Sequence, residues 1–300
     1  PKAFGLWLCS IAALWAAEPR VVSLTAPATE TMYALGAQRL VVGVTASSVF
    51  PEQVRKDREA GRVREIGQFG NPDRVVLQEL RPTLILTGTS FQRRLAEELR
   101  RDGYRVLHCE PRSIEEVWQD IERIGAAVGK AREARRLTAG LRQQMRTLAA
   151  QTALLAPRRV YIEMNHEGPW TSGRGNPIED LLAAAGGKNI FGDDERSVFQ
   201  TSHAEIIRRQ PEVILSPIWV EAKMGGLDGL VALGEIFRRP GYEATPAWKN
   251  SEIHYYDSAL LKHTGPRQAL AARKLAQLLH PLRFPAPEDS LPWEFGRIRP

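Results

Sequence analysis

Residues 79–91 read ELRPTLILTGTSF, and residues 208–220 read RRQPEVILSPIWV. In each, a polar helix end meets a proline, and an apolar run with β-branched members follows. Proline biases the residue before it out of the helical region, so a helix ends there. A short apolar run closed by Gly, Ser or Pro reads as a strand buried on both faces, the habit of parallel sheets. The two copies lie too far apart for a small solenoid repeat. They read as one helix-to-strand step written in two similar half-proteins.

The text around each copy keeps the same alternation. In the first half, strands are expected at RVVSL (20–24), LVVGVTA (40–46), RPTLILTG and YRVLHCE (104–110). A helix follows the first strand, capped by Thr25 or Thr29 and ending near Gly36, and another runs through FQRRLAEELRRDG to Gly103. In the second half, RRVYIEM (158–164), NPIEDLLAAAGG (176–187), QPEVILSP and EIHYYDS (252–258) repeat the pattern. PRQALAARKLAQLLHPL (266–282) closes it as an amphipathic helix. Between the halves, residues 113–156 carry no strand signal. Ser113 with Glu116 forms a capping box, and apolar residues keep helical spacing from Val117 to Leu148. The fold class is α/β, two Rossmann-like lobes with parallel sheets joined by one long helix. The expected divisions are a signal segment (1–17), an N-terminal lobe (18–112), the interlobe helix (113–156), a C-terminal lobe (157–282) and an irregular tail (283–300).

The chain has 300 residues, enough for two lobes with their own cores. Its formal charge of +6 is spread over amphipathic helices, and no nucleic-acid-binding motif accompanies it. PKAFGLWLCSIAALWAAEPR at the start has Lys2, an apolar run from Phe4 to Trp15 and small residues at Ala16 and Ala17, the pattern of a secretory signal. Its apolar run is too short to span a bilayer. Cleavage is expected after Ala16 or Ala17, since Leu8 is bulky where lipid attachment to Cys9 would want a small residue. That leaves Cys109 alone, which excludes a disulfide within the mature chain and a zinc site built on cysteine pairs.

Catalytic motifs are missing in the contexts that would give them meaning. GRGNP (173–177) lacks the lysine of a phosphate loop and the glycine spacing of a dinucleotide site. His166-Glu167 precedes Gly-Pro, so it lies on a loop and not on a zinc-binding helix. What recurs instead is an aromatic residue beside an expected strand end: Phe50, Phe69, Phe91, Trp170, Phe199 and Trp219. Ligands of α/β sheets bind at the carboxyl ends of strands, so these aromatics point to a broad apolar cleft between the lobes.

The segments RVVSLTAPATETMYALGA, GQFG, GPWTSGRGNPIEDLLAAAGGKNIFGD and YYDSALLKHTGPRQALAARKLAQLLHP together resemble the periplasmic binding proteins for cobalamin, ferric siderophores and haem. The likeness runs from about Arg20 to Pro281. It implies two lobes on a rigid helix, a ligand held between them, and delivery to an ABC importer in the inner membrane. Phe69 and Phe199 fall at tryptophan positions of the cobalamin binder, Phe50 at a tyrosine, Trp170 in its matching loop, and His263 at an arginine that touches the ligand. A histidine there would approach the metal or a carboxylate. Pro27, Phe91 and Trp219 join the implied ligand-binding set, with Gln68, Glu167 and His263 giving polar orientation.

Relatives place a permease-docking glutamate seven residues before the proline of each repeated phrase. Here those positions hold Val75 and Ala204, and Asp73 and Glu205 stand nearby as substitutes. The resemblance implies a monomeric, non-enzymatic, exported solute-binding protein with no cofactor of its own. The expected ligand is a metal chelate, a corrinoid first and haem or a ferric siderophore second. Two rivals come from other classes. One is a metal-dependent enzyme of similar lobe topology, against which the lone Cys109 and the N-terminal segment both speak. The other is capture of a bare ion by His166, Glu167 and His263.

Overall fold

The computed structural model describes residues 18–165, 168–218, 236–285 and 295–298. In its first half the strands are β1 (Val21–Ser23), β2 (Val41–Val44), β3 (Arg64–Glu65), a small ribbon of β4 (Gly67–Gln68) and β5 (Asn71–Pro72), β6 (Leu84–Gly88) and β7 (Val106–Cys109). The second half contributes β8 (Arg158–Ile162), β9 (Trp170–Ser172), β10 (Gly187–Asn189), β11 (Val198–Gln200), β12 (Val213–Ile218), β13 (Ile253–Asp257) and β14 (Phe295–Ile298). The first sheet has the order β3-β2-β1-β6-β7 and is parallel throughout. The second has the order β10-β8-β12-β13-β14, parallel except for its last pair. The run β2-β1-β6-β7 in one lobe thus matches β10-β8-β12-β13 in the other.

The duplicated phrase is β6 and β12 with the helix end before each. The residue ahead of the proline, Arg81 or Gln210, has φ +45° in both copies. This left-handed turn stops the helix, and the proline behind it prevents any restart. Side chains then alternate across each sheet as the pleat requires. Leu84 and Leu86 face the helices between the lobes, whereas Ile85 faces an outer core with Val22, Leu77 and Leu99. Val213 and Leu215 repeat the first pattern, and Ile214 turns outward to Tyr161, Phe191 and Phe199.

The stretch expected as one helix is two. The helices Ile114–Ala127 and Ala131–Thr152 are separated at Gly129, whose φ of +74° suits glycine, and they pack against each other. Gly125 permits the close crossing: a Cβ there would lie 2.4 Å from the Ala134 Cβ. Periodicity survives the break because both helices bury the same apolar stripe. The 22-residue second helix, about 33 Å long at the usual rise per residue, also packs on the helices Ile178–Ala184 and Gln268–Leu279 of the second lobe.

The tail also departs from expectation. Residues 283–300 were read as irregular, yet Phe295–Ile298 pairs antiparallel with β13. An open edge on β13 leaves backbone donors and acceptors unpaired, and the returning chain satisfies them.

Candidate functional site

The lobes meet where the carboxyl ends of their strands face each other, and a buried carboxylate ties them. Glu30, on the helix that follows β1, is 3% exposed. It accepts from Arg267 of the second lobe through Nε (2.8 Å) and Nη2 (2.7 Å), and the His263 Nδ1 lies 3.3 Å from its Oε1. The Arg267 guanidinium also stacks 3.9 Å from the centroid of the Phe50 ring. Beside them Gly265 packs against Pro27: a Cβ there would sit 3.4 Å from the Pro27 carbonyl oxygen, an ordinary contact. Pro27, Phe50 and His263 are therefore brought together, with the His263 ring beside the Glu30 carboxylate.

Buried polar side chains fix the loops of the first lobe. Thr29 Oγ1 donates to Ser23 Oγ (2.8 Å) and lies 3.0 Å from Ser48 Oγ, which locks the loop after β2 onto β1 two residues before Phe50. Gln92 is buried and acts as a staple: its Nε2 donates to the carbonyls of Leu24 (2.9 Å) and Phe69 (2.5 Å), while its Oε1 accepts from the Gly88 amide (2.8 Å). Phe69 is half-buried between β4 and β5, and Gln68 beside it is exposed. Phe91 is 82% exposed on the turn after β6.

In the second lobe, Lys262 Nζ donates to the Met164 carbonyl (2.5 Å), and the Met164 amide donates to that of Trp170 (2.8 Å). A continuous set of contacts thus joins Phe50, Arg267, Glu30, His263 and Lys262 to the half-buried Trp170. Phe199 does not join them. Its ring is 5% exposed, packs edge-on against Phe191 at 5.7 Å between centroids, and carries Arg196 at 4.0 Å. Its strand β11 pairs with β9, so Phe199 alternates inward to the outer core while its neighbours point out. Glu167 and Trp219, and with them His166 of the bare-ion alternative, lie outside the described residues.

The two carboxylates expected to dock a permease are engaged locally. Asp73 caps the helix Arg74–Leu80, accepting from the amides of Val75 (2.9 Å) and Val76 (3.1 Å). Glu205 sits in the first turn of the helix His203–Arg208 and pairs with Arg208 and Arg209, each at 2.6 Å. Those guanidiniums hold its carboxyl down at about 2. Val75 and Ala204, at the positions themselves, are exposed.

Sequence reading passed over Glu30, Arg267, Lys262 and Gln92. A signal existed for Arg267, because it sits within the Gly-Pro-Arg start of the last helix. No local signal marks Glu30, whose partner lies 237 residues away. Among the described residues no group of three or more His, Cys, Asp or Glu is placed to hold a metal ion, and no helix is long and apolar enough to cross a membrane.

Comparison with known proteins agrees with this architecture. A vitamin B12-binding protein from Photorhabdus laumondii is 28% identical over 269 residues, covering 89% of this chain and 90% of its own length. An uncharacterized ABC transporter substrate-binding lipoprotein from Bacillus subtilis is 27% identical, covering 89% and 82%. The periplasmic heme-binding protein RhuT from Roseiflexus sp. RS-1 superposes with a TM-score of 0.74 at 24% identity, over 89% of this chain and 100% of that one. The periplasmic vitamin B12-binding protein BtuF of Vibrio cholerae gives 0.73 at 21% identity, over 89% and 98%. At these identities the solved structures establish the fold. The family model described as periplasmic binding protein matches residues 21–260, and the chain belongs to that family.

Proposed function

We propose that this chain is a non-catalytic solute-binding protein that captures a metal chelate, a corrinoid first, between lobes formed by residues 18–112 and 157–282. It is exported through a signal segment over residues 1–17, acts as a monomer, and hands its ligand to an ABC permease in the inner membrane. The observation that carries the reading is Phe50 at the lobe junction. Its ring is 37% exposed, and Arg267 fixes it from one side. A ring immobilised in this way stacks on a flat or cage-like ligand with little further loss of freedom. Phe69 and Trp170 supply further apolar surface, and Pro27 and Gln68 line the same ends of the strands. Relatives named for vitamin B12 support the corrinoid among chelates.

Haem is the second reading, and one contact favours it. A histidine that ligates a metal through one ring nitrogen commonly has the other oriented by a carboxylate. The His263 Nδ1 has Glu30 in that position.

Parallel titrations of the protein with cyanocobalamin, haemin and a ferric siderophore, followed by absorption and tryptophan fluorescence, test the proposal. Saturable quenching by cyanocobalamin alone is the expected result. Saturation by haemin alone, with an absorption shift lost in His263→Ala, selects the second reading. No response to any of the three overturns the chelate assignment.

A further inference from the structure

The turn that follows β6 carries two unfavourable features on one residue. Thr89 has φ +64° with ψ 159°, a combination that glycine adopts freely and a β-branched residue only under strain. Arg81 is different, since its φ of +45° and ψ of 57° lie in the ordinary left-handed well. The Thr89 hydroxyl is also buried with no hydrogen-bond partner, which leaves its desolvation uncompensated. Glycine at position 89 would relieve both. The glycine of this turn stands one residue earlier and serves another need: a Cβ on Gly88 would lie 2.8 Å from the Cys109 carbonyl oxygen.

What this conformation achieves is the placement of two aromatic residues. The Thr89 amide donates to the Cys109 carbonyl (3.0 Å), and the Thr89 carbonyl accepts from the Gln92 amide (3.2 Å). Between those two bonds the chain reverses and presents Phe91 at 82% exposure. The reversal also drives the Gln92 side chain inward, where it is fully buried and bonded to Leu24, Phe69 and Gly88. One turn therefore fixes Phe91 directly and, through Gln92, the ribbon that carries Phe69. Both aromatics stand by the carboxyl ends of β1 and β6, the neighbouring strands of the first sheet, where α/β sheets receive ligands. Backbone strain that persists in such a place belongs with preorganisation for binding.

Resting on the chelate reading above, we infer that Thr89 and Gln92 are positioning residues for ligand capture, which hold Phe91 and the Phe69 ribbon in their binding arrangement before the ligand arrives. Gln92 is buried and acts through the backbone of Phe69. Thr89 acts by restricting the turn: its branched side chain leaves the backbone fewer alternatives than glycine would, at a cost in stability. Loss of that restriction means that the ligand must order the turn itself, which weakens binding by about threefold to tenfold for each side chain so released.

Thermal melts and titrations with cyanocobalamin and haemin test this on the parent protein, Thr89→Gly, Gln92→Leu, Phe69→Ala and the double variant Gln92→Leu/Phe69→Ala. Thr89→Gly is expected to raise the thermal midpoint by about 2–4 °C and yet to weaken the ligand that the parent binds by about threefold to tenfold. A purely structural Thr89 would give the first change without the second, so a stabilised variant with parental affinity overturns its role. Gln92→Leu should weaken binding by about tenfold in the parent and by less than about twofold when Phe69 is already alanine, because the ring it positions is then gone. An undiminished effect in the Phe69→Ala background overturns the assignment of Gln92 and leaves the chelate reading standing. Thr89→Gly still decides the matter if Gln92→Leu does not fold. Absence of binding of either ligand by the parent overturns the chelate reading and the positioning role with it.

Discussion

Arg267 holds Glu30 across the lobe junction with two hydrogen bonds, and the same guanidinium covers one face of Phe50. One residue of the last helix therefore sets both the ion pair that ties the lobes and the ring offered to ligand. Because Glu30 is buried, removing its partner should cost far more than a surface pair would. Arg267→Met is expected to lower unfolding free energy by about 3–5 kcal/mol, while the double variant Glu30→Gln/Arg267→Met recovers most of the loss. Urea denaturation of the single and double variants reads this directly. Equal losses in both would mean that the carboxylate is not what Arg267 satisfies.

Phe50 and Phe199 were read from sequence as equivalent cleft aromatics, and the structure separates them. Phe199→Ala should cost about 3–5 kcal/mol of stability through loss of a buried ring, and leave chelate affinity near that of the parent. Phe50→Ala should do the reverse, weakening ligand binding at least several-fold with a small effect on the thermal midpoint. Paired thermal-melt and titration measurements on the two variants decide it. A drop in affinity for a folded Phe199 variant would return that residue to the site.

At Gly125 the two central helices touch too closely for a side chain. An added Cβ would press on Ala134 at 2.4 Å and on the Lys130 carbonyl at 3.0 Å. Gly125→Ala gains helix propensity but should still destabilise by about 1–3 kcal/mol, since overpacking outweighs it. A variant as stable as the parent in urea would show that the crossing is looser than described.

Asp73 caps its helix, so its contribution to stability has to be separated from any docking role. Asp73→Ala should cost about 1 kcal/mol, and Asp73→Ser, which keeps a capping oxygen without charge, only a few tenths. If Asp73 also docks a permease, the Ser variant loses transport in reconstituted vesicles while its melt is unchanged. Full transport by the Ser variant removes Asp73 from the docking surface.

These residues also mark how far sequence alone could reach. The repeated strand step was legible because proline, the apolar run and the helix stop are local, and Arg81 and Gln210 execute them identically. Phe50 is legible from its position beside a strand end, which the topology converts into proximity, whereas Pro27 and His263 come from the family resemblance. Phe199 failed the same test because β11 is an antiparallel ribbon strand, and its pleat turns the ring away from the cleft. Glu30 was hidden inside an apparently ordinary first helix, its role fixed by a partner from the end of the chain. Gly125 and Gly129 mark a bend in the central helix, but apolar periodicity preserved on both sides of Gly129 conceals that the bend is a full break.

The depressed pKa of Lys262 gives a pH dependence with a definite sign. A lysine whose folded pKa lies near 8, below the unfolded value of about 10.4, binds fewer protons folded than unfolded between those two values. Its contribution is unfavourable and constant below pH 8, and stability attributable to it rises as pH climbs from about 8 towards 10. Lys262→Met lacks that penalty, so the variant's advantage over the parent should be largest near neutrality and shrink across the same window. Urea midpoints of the two proteins measured from pH 7 to pH 10 test the assignment. Curves that stay parallel would show that Lys262 keeps its proton through the whole range, and that its ammonium is better solvated than its burial implies.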